Sequence, residues 1–233
     1  MRICLPGYLR SAVYDAGALR TRPTLSKLRL LFCANQTMWN AISDIGDAAL
    51  TVPVAVTCAV WLALSDRALA ARWILLLATG MMLVGITKIL YAGCGIEIAS
   101  MGLRVISGHT TLSTAIWTVT LVLLCRGAGR SVYAGAAAGL LIGILTAAAR
   151  IFDHAHSISE VIAGWLLGAT VAVLFMRALT RSDVKLFRPA IAAIGLSLVT
   201  TIAYGHHAPF QAMIEEYSPG ACLSMSDGFF RWL

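Results

Sequence analysis

Ala149-Arg-Ile-Phe-Asp-His-Ala-His-Ser-Ile-Ser-Glu160 crowds Arg150, Asp153, His154, His156 and Glu160 between two long apolar runs. Ionisable side chains at the margin of a membrane-embedded segment are costly to hold there, so they mark function by default. On a helix, positions i and i+4 share a face, so Glu160 can reach His156 and hold its imidazole in one tautomer. The rest of the chain is read by asking what it brings opposite these residues.

The flanking runs decide the fold. Of the 233 residues 59% are hydrophobic and only 12% charged, far from the mixture of a soluble domain. The apolar residues fall in six spans, each near the ~20 residues that cross a bilayer. They are Ala48–Leu64, Trp73–Ala92, Thr110–Cys125, Val132–Ala149, Ser157–Leu179 and Pro189–Tyr204. The expected fold is all-α, a polytopic membrane protein built as a six-transmembrane-helix bundle. Its parts are a basic N-terminal segment 1–37, a membrane domain 38–205 and a tail 206–233 on the same side as the charged stretch. Gly135, Gly139 and Gly143 recur every four residues, as do Gly164 and Gly168, a spacing that lets helices approach closely within the chain.

A net charge of +7 would suit nucleic acid, but the basic residues sit at the ends of apolar runs, where they set membrane topology instead. No nucleic-acid partner is expected. Connections one, three and five hold Arg67, Arg72, Arg126, Arg130, Arg177, Arg181, Lys185 and Arg188. The positive-inside rule places these in the cytoplasm and the charged stretch on the outer face, periplasmic for a bacterial inner membrane. Residues 1–37 carry six further basic residues and no apolar core of signal-peptide length. Two readings of them stand: an interfacial basic helix around Leu25–Phe32, or a segment outside the native product, since Met38 directly precedes W-N-A-I-S-D-I-G-D. The six cysteines have no metal-ligand spacing, and only Cys94 and Cys222 are placed to meet outside the bilayer.

Three clusters share the outer side. Lys88 lies near the end of the second span, where insertion costs less than the roughly 2.5–3.5 kcal/mol of a mid-helix lysine because the ammonium can snorkel. Arg104 and Ser107-Gly108-His109 precede the third span, and a small Ser-Gly turn opening a helix offers backbone N–H groups to an anion. Arg150, His156 and Glu160 form the third cluster. Taken singly, each is also explained by a snorkelling lysine, a chance tripeptide or a charged loop.

Together, Lys88, Ser107-Gly108-His109 and Arg150-x5-His156-x3-Glu160 resemble the type-2 phosphatidic acid phosphatase superfamily. Its signature is K-x6-R-P, then P-S-G-H, then S-R-x5-H-x3-D on a six-helix membrane bundle. There are departures. Gly95-Ile96 stand where the first motif has Arg-Pro, Ile106 replaces the proline of the second motif, and Ala149 and Glu160 replace the serine and aspartate of the third. Arg104, close to Ser107, is our own choice for a substitute guanidinium rather than a family position.

The resemblance implies a membrane-embedded, metal-independent phosphatase of lipid phosphates or pyrophosphates working through a phosphohistidine, with no cofactor. His156 would be the nucleophile, Glu160 its orienting carboxylate and His109 the acid and base. Lys88, Ser107, Gly108 and Arg150, with Arg104, would hold the phosphate oxygens; no metal ligand set is expected. The partners would be membrane lipids and a lipid phosphate substrate: phosphatidic acid, phosphatidylglycerophosphate, a polyprenyl pyrophosphate such as undecaprenyl pyrophosphate, or a lipid A phosphate, among which the residues do not choose. Asp153, His154, His206 and His207 read as solvated. A catalytically inactive lipid-phosphate-binding membrane protein and a small transporter are the competing readings.

Overall fold

Each long helix needs a local signal to start it, because its first N–H groups have no partner within the helix. In the computed structural model, which describes residues 37–208, two carboxylates and one hydroxyl supply such a signal at three of the six helices named below. Residues 37–44 are helical and lead into a turn ending at Asp47, whose Oδ1 accepts from the Ala49 N–H (2.8 Å) and starts α1, Ala48–Ser65. Asp66 then ends α1 and opens α2, Arg67–Cys94, by accepting from the Ala68 and Leu69 N–H groups. Helices α3 (Gly108–Gly127), α4 (Val132–Phe152), α5 (Ile158–Thr180) and α6 (Pro189–Ala203) follow. Among the described residues there is no strand.

The architecture is all-helical. Among the described residues five helices are long and apolar enough to cross a membrane, and α6 is a shorter apolar helix of 15 residues. The segment 1–36, which contains most of the basic N-terminal region and the Leu25–Phe32 helix expected above, lies outside the described residues, as does the tail from residue 209. Cys94 is disulfide-bonded, and Cys222 lies outside the described residues.

Two boundaries differ from the hydropathy reading. Arg67 to Arg72 are the first turns of α2 rather than a polar connection, so the first loop is only Asp66. Arg150 belongs to α4, which continues to Phe152, rather than to a loop. The cause is the same in both places: hydrogen-bonded helix runs on past the end of the apolar run, and charged side chains crown it.

Helix α3 is the axis of the bundle. The buried share of its span is 72%, against 17–39% for the other four long helices. It touches all five of its neighbours, most extensively α4 and α5. Buried Thr and Ser side chains here return hydrogen bonds to the helix itself, Thr111 to Ser107 O and Thr114 to Thr110 O, or cross to Thr146 and Cys58, while Thr118 Oγ1 has no hydrogen-bond partner among the described residues. The α4 and α5 glycines permit this fit. A Cβ on Gly139 would collide with the Thr118 backbone, one on Gly143 with the Thr114 side chain, and one on Gly168 would stand 2.6 Å from the Thr111 carbonyl. The glycine spacing therefore serves packing within one chain.

The connections gather at two opposite ends. At one, Arg126 donates to the carbonyls of Leu179, Ser182 and Val184, and the Phe187 N–H donates to Ser65 Oγ. At the other, Tyr204 Oη donates to Ala41 O and the Ala208 N–H donates to Asp47. The charged stretch 150–160 lies at this second end.

Replacing Gly139 by Ala is expected to lower the thermal midpoint of the detergent-solubilised protein by several degrees, from overpacking of about 1–3 kcal/mol. Gly85→Ala is expected to leave it unchanged or raise it, because nothing lies within 4 Å of that position. Parallel melting curves of the two variants check this.

Candidate active site

The chain reverses between α4 and α5 through a tight helix-ending turn. The His154 N–H donates to Ile151 O (3.0 Å) and the Ala155 N–H to Arg150 O (3.1 Å). This paired pattern caps the α4 carbonyls and needs one residue in the left-handed region, here His154 at φ 54°. The turn brings His156 back against Arg150, its N–H 3.3 Å from the Arg150 carbonyl. Asp153 and His154 thus have a structural task in the turn, and the His154 side chain is exposed.

Helix α5 then starts with a capping box. Ser157 Oγ accepts from the Glu160 N–H (3.4 Å), and Glu160 Oε2 accepts from the Ser157 N–H (3.1 Å). The same Oε2 stands 2.8 Å from His156 Nδ1, so the cap fixes the carboxylate that fixes the imidazole. Glutamate in place of the family's aspartate has a physical reason here: its extra methylene lets one side chain reach back to the cap and across to the histidine. Glu160 Oε1 meets Arg104 twice, accepting from its backbone N–H (3.3 Å) and lying 3.4 Å from Nε. The Glu160 carbonyl accepts from the Ser107 N–H (3.1 Å).

These contacts carry the segment before α3 to the same place. Ser107 is the N-cap of α3, yet its side chain makes no cap hydrogen bond. Its hydroxyl is fully buried and bonds Thr110 Oγ1 at 3.0 Å, so the serine is not turned toward the cavity, unlike the direct phosphate contact expected of it. The helix start is instead bare backbone beside a cation: a Cβ on Gly108 would lie 4.0 Å from Lys88 Nζ.

A cavity of ≈ 460 Å³ is lined by Lys88, Arg104, His109, Arg150, His156 and Glu160, with Tyr91, Ala92, Val105 and Ala155 as its less polar wall. Seven of the eight residues singled out from the sequence thus converge, the six lining side chains and Gly108 beside Lys88, and Ser107 supports from behind. Gly95, where the family's arginine was missing, is the left-handed cap that ends α2 (φ 65°) and does not line the cavity. Arg104 does, with its guanidinium 5.8 Å from the Tyr91 ring centre. Tyr91 and Glu160 both hold Arg104 in its charged form.

Burial pushes the His156 pKa below the ordinary value of about 6.5, opposed by the Glu160 hydrogen bond and reinforced by the positive charges of Arg150 and Lys88. Its imidazole is therefore neutral at pH 7. Arg150 donates from Nη1 to Ser43 Oγ (3.0 Å), while its buried Nε has no protein partner.

Sequence reading missed the residues that come from the first turn of the structure. Asp47 Oδ2 stands 3.5 Å from His109 Nε2, and Ser43 anchors Arg150. The available signal was the cap position of Asp47 at the head of an apolar run. His207, read as solvated, is exposed but reaches Asp47 at 3.4 Å.

Residues 99–183 match the PAP2 superfamily. The chain belongs to that superfamily. Its members are phosphatases, which sets phosphoric ester hydrolysis as the activity class at superfamily level. The PAP2 match spans the third to fifth helices and includes Arg104, Ser107-Gly108-His109 and Arg150 to Glu160. A Klebsiella pneumoniae protein described as an uncharacterized 22.5 kDa protein in the cps region is 31% identical over 183 residues, covering 76% of this chain and 88% of that one. No solved structure matches.

His154→Gly is expected to retain full phosphatase activity, with an equal or higher thermal midpoint, because glycine takes a positive φ without strain. A large activity loss at unchanged stability would give His154 a chemical role.

Proposed function

We propose that this PAP2-superfamily protein is a metal-independent lipid phosphate or pyrophosphate phosphatase acting through a phosphohistidine at His156. The observation that carries this reading is the His156–Glu160 pair at 2.8 Å, opening into the same cavity as His109 and three cations. With Nδ1 held by Glu160, Nε2 is the nucleophilic atom; it forms the bond to phosphorus as the bond to the leaving oxygen breaks. His109 gives a proton to that oxygen, then takes one from the water that cleaves the phosphohistidine. Lys88, Arg104, Arg150 and the uncapped N–H groups at Gly108 stabilise the charge spread over the equatorial oxygens.

The substrate class follows from the site's position. The cavity opens at one end of membrane-length helices, so a lipid can keep its chains in the bilayer while its phosphate enters. In our reading α6 makes a sixth crossing, since its two ends join opposite ends of the bundle. The basic connections then face the cytoplasm and the site faces the periplasm of a bacterial inner membrane. Polyprenyl pyrophosphate and phosphatidic acid are the two substrates to try first.

Purified protein in detergent with EDTA is expected to release phosphate from at least one of these lipids. His156→Ala is expected to lower kcat by about 10³-fold or more. Unchanged release in that variant would sink the mechanism.

The pH dependence has a definite sign. His156 must be neutral to attack, and its depressed pKa places the acid limb of kcat/KM below about pH 6.5. Glu160 is the influence that raises this pKa, so Glu160→Gln is expected to move the acid limb to still lower pH while slowing the reaction. A limb that moves upward in that variant would contradict the assignment.

A further inference from the structure

We propose that Asp47 is the positioning residue of His109, forming a second histidine–carboxylate pair beside His156–Glu160; this rests on the phosphatase reading above. Asp47 is a buried carboxylate (5% exposed) that the reaction so far leaves unused. Burial of a charged group is expensive unless its oxygens are bonded, and both are accounted for. Oδ1 accepts from the Ala49 N–H (2.8 Å) and the Ala208 N–H (3.0 Å). Two backbone donors from different elements hold the carboxylate plane, which leaves Oδ2 facing His109 Nε2 at 3.5 Å and His207 Nδ1 at 3.4 Å.

The approach is built into the backbone. A Cβ on Gly46 would lie 2.8 Å from the His109 carbonyl and 2.8 Å from Thr146 Cγ2, so only glycine lets the 44–47 turn rest on the start of α3. The same turn is tied to the site by Arg150, through its bond to Ser43. The other charged neighbours of the pair are Asp44, which lies 3.8 Å from His207, and Arg150, which feels both aspartates.

The chemical consequence is a fixed tautomer. With the Nε2 proton directed to Asp47, Nδ1 is the nitrogen left for the substrate. In the first step the His156 Nε2–P bond forms, the P–O bond to the leaving group breaks, and the Nδ1 proton of the His109 imidazolium passes to the departing oxygen. In the second step a water oxygen bonds phosphorus, its proton returns to His109 Nδ1, and the electrons of the P–N bond return to His156. Asp47 stabilises the imidazolium present before the first step and after the second. Hydrogen bonds of this kind are often long before substrate binds and tighten in the complex, which suits a separation of 3.5 Å.

A merely structural role would weaken all substrates alike; a role through the acid weakens those that need the proton. The measurement is kcat/KM, which reports formation of the phosphoenzyme, for an alkyl phosphate lipid and for p-nitrophenyl phosphate, whose leaving group departs without a proton. Asp47→Asn keeps the α1 cap, and Asp47→Ser keeps it while removing reach to His109. Both are expected to lose at least about 10-fold on the alkyl substrate and under about 3-fold on the aryl one, a part of the 10²–10⁴ that a general acid supplies. His207→Ala is expected to stay within about 2-fold on both, as an exposed contact contributes little. Equal losses on the two substrates at an unchanged thermal midpoint overturn the Asp47 role alone. The same split in His207→Ala assigns the effect to the tail and overturns it too. No turnover of either substrate by the unmodified protein overturns the phosphatase reading on which it rests.

Discussion

The Glu160 carboxylate is the junction on which the site depends. It is buried (1% exposed) on the first turn of α5, and every lone pair direction has a claimant. Oε2 closes the capping box at Ser157 and holds His156; Oε1 holds Arg104 by backbone and guanidinium; the residue's own carbonyl holds Ser107. One residue thereby couples the start of a helix, the orientation of an imidazole and the path of the segment that opens α3. A buried carboxylate so bonded keeps its charge, and the cost of removing it exceeds the loss of any one bond because the partners are stranded with it.

That junction has to be held at a fixed distance from His109 and Lys88, which is the task of α3 and its neighbours. In a bilayer the apolar faces of helices gain little by leaving lipid, so close van der Waals packing and interhelical hydrogen bonds carry association. The glycines of α4 and α5 against the Thr and Ser side chains of α3 provide both. Gly164 shows the link most directly: a Cβ there would stand 2.6 Å from the Ser107 carbonyl, so the small residue that packs α5 also seats the residue that begins α3. Packing and site geometry are the same contacts.

Much of this was legible in the sequence, for reasons that can be named. The helices were, because apolar runs of bilayer length have few other uses; their ends were not, because Arg67, Arg72 and Arg150 continue helices beyond the apolar run. His156 and Glu160 were legible because i and i+4 share a helix face. Lys88, Arg104 and His109 were legible as charges placed on one side, and they do line one cavity. Ser107 turns its hydroxyl to Thr110, a choice made by packing rather than spacing. Asp47 was legible only as a cap, and Ser43 and Tyr91 not at all, since their partners come from distant parts of the chain and only the folded bundle brings them together. The left-handed turn at His154 was hidden too, because a positive φ is uncommon at any residue but glycine, although histidine adopts it more readily than most.

In the proposed reaction two histidines divide the work, one bonding phosphorus and one moving the proton, each backed by a buried carboxylate. The direct test is to react the detergent-solubilised protein with a substrate radiolabelled in its phosphate, quench in base and map the label. The account predicts an acid-labile, base-stable phosphate on the peptide carrying His156, accumulating further when His109 is replaced by Ala and the leaving group needs no proton, as with p-nitrophenyl phosphate, because only the water step then slows. Steady turnover with no protein-bound phosphate, or label on any other residue, would contradict it.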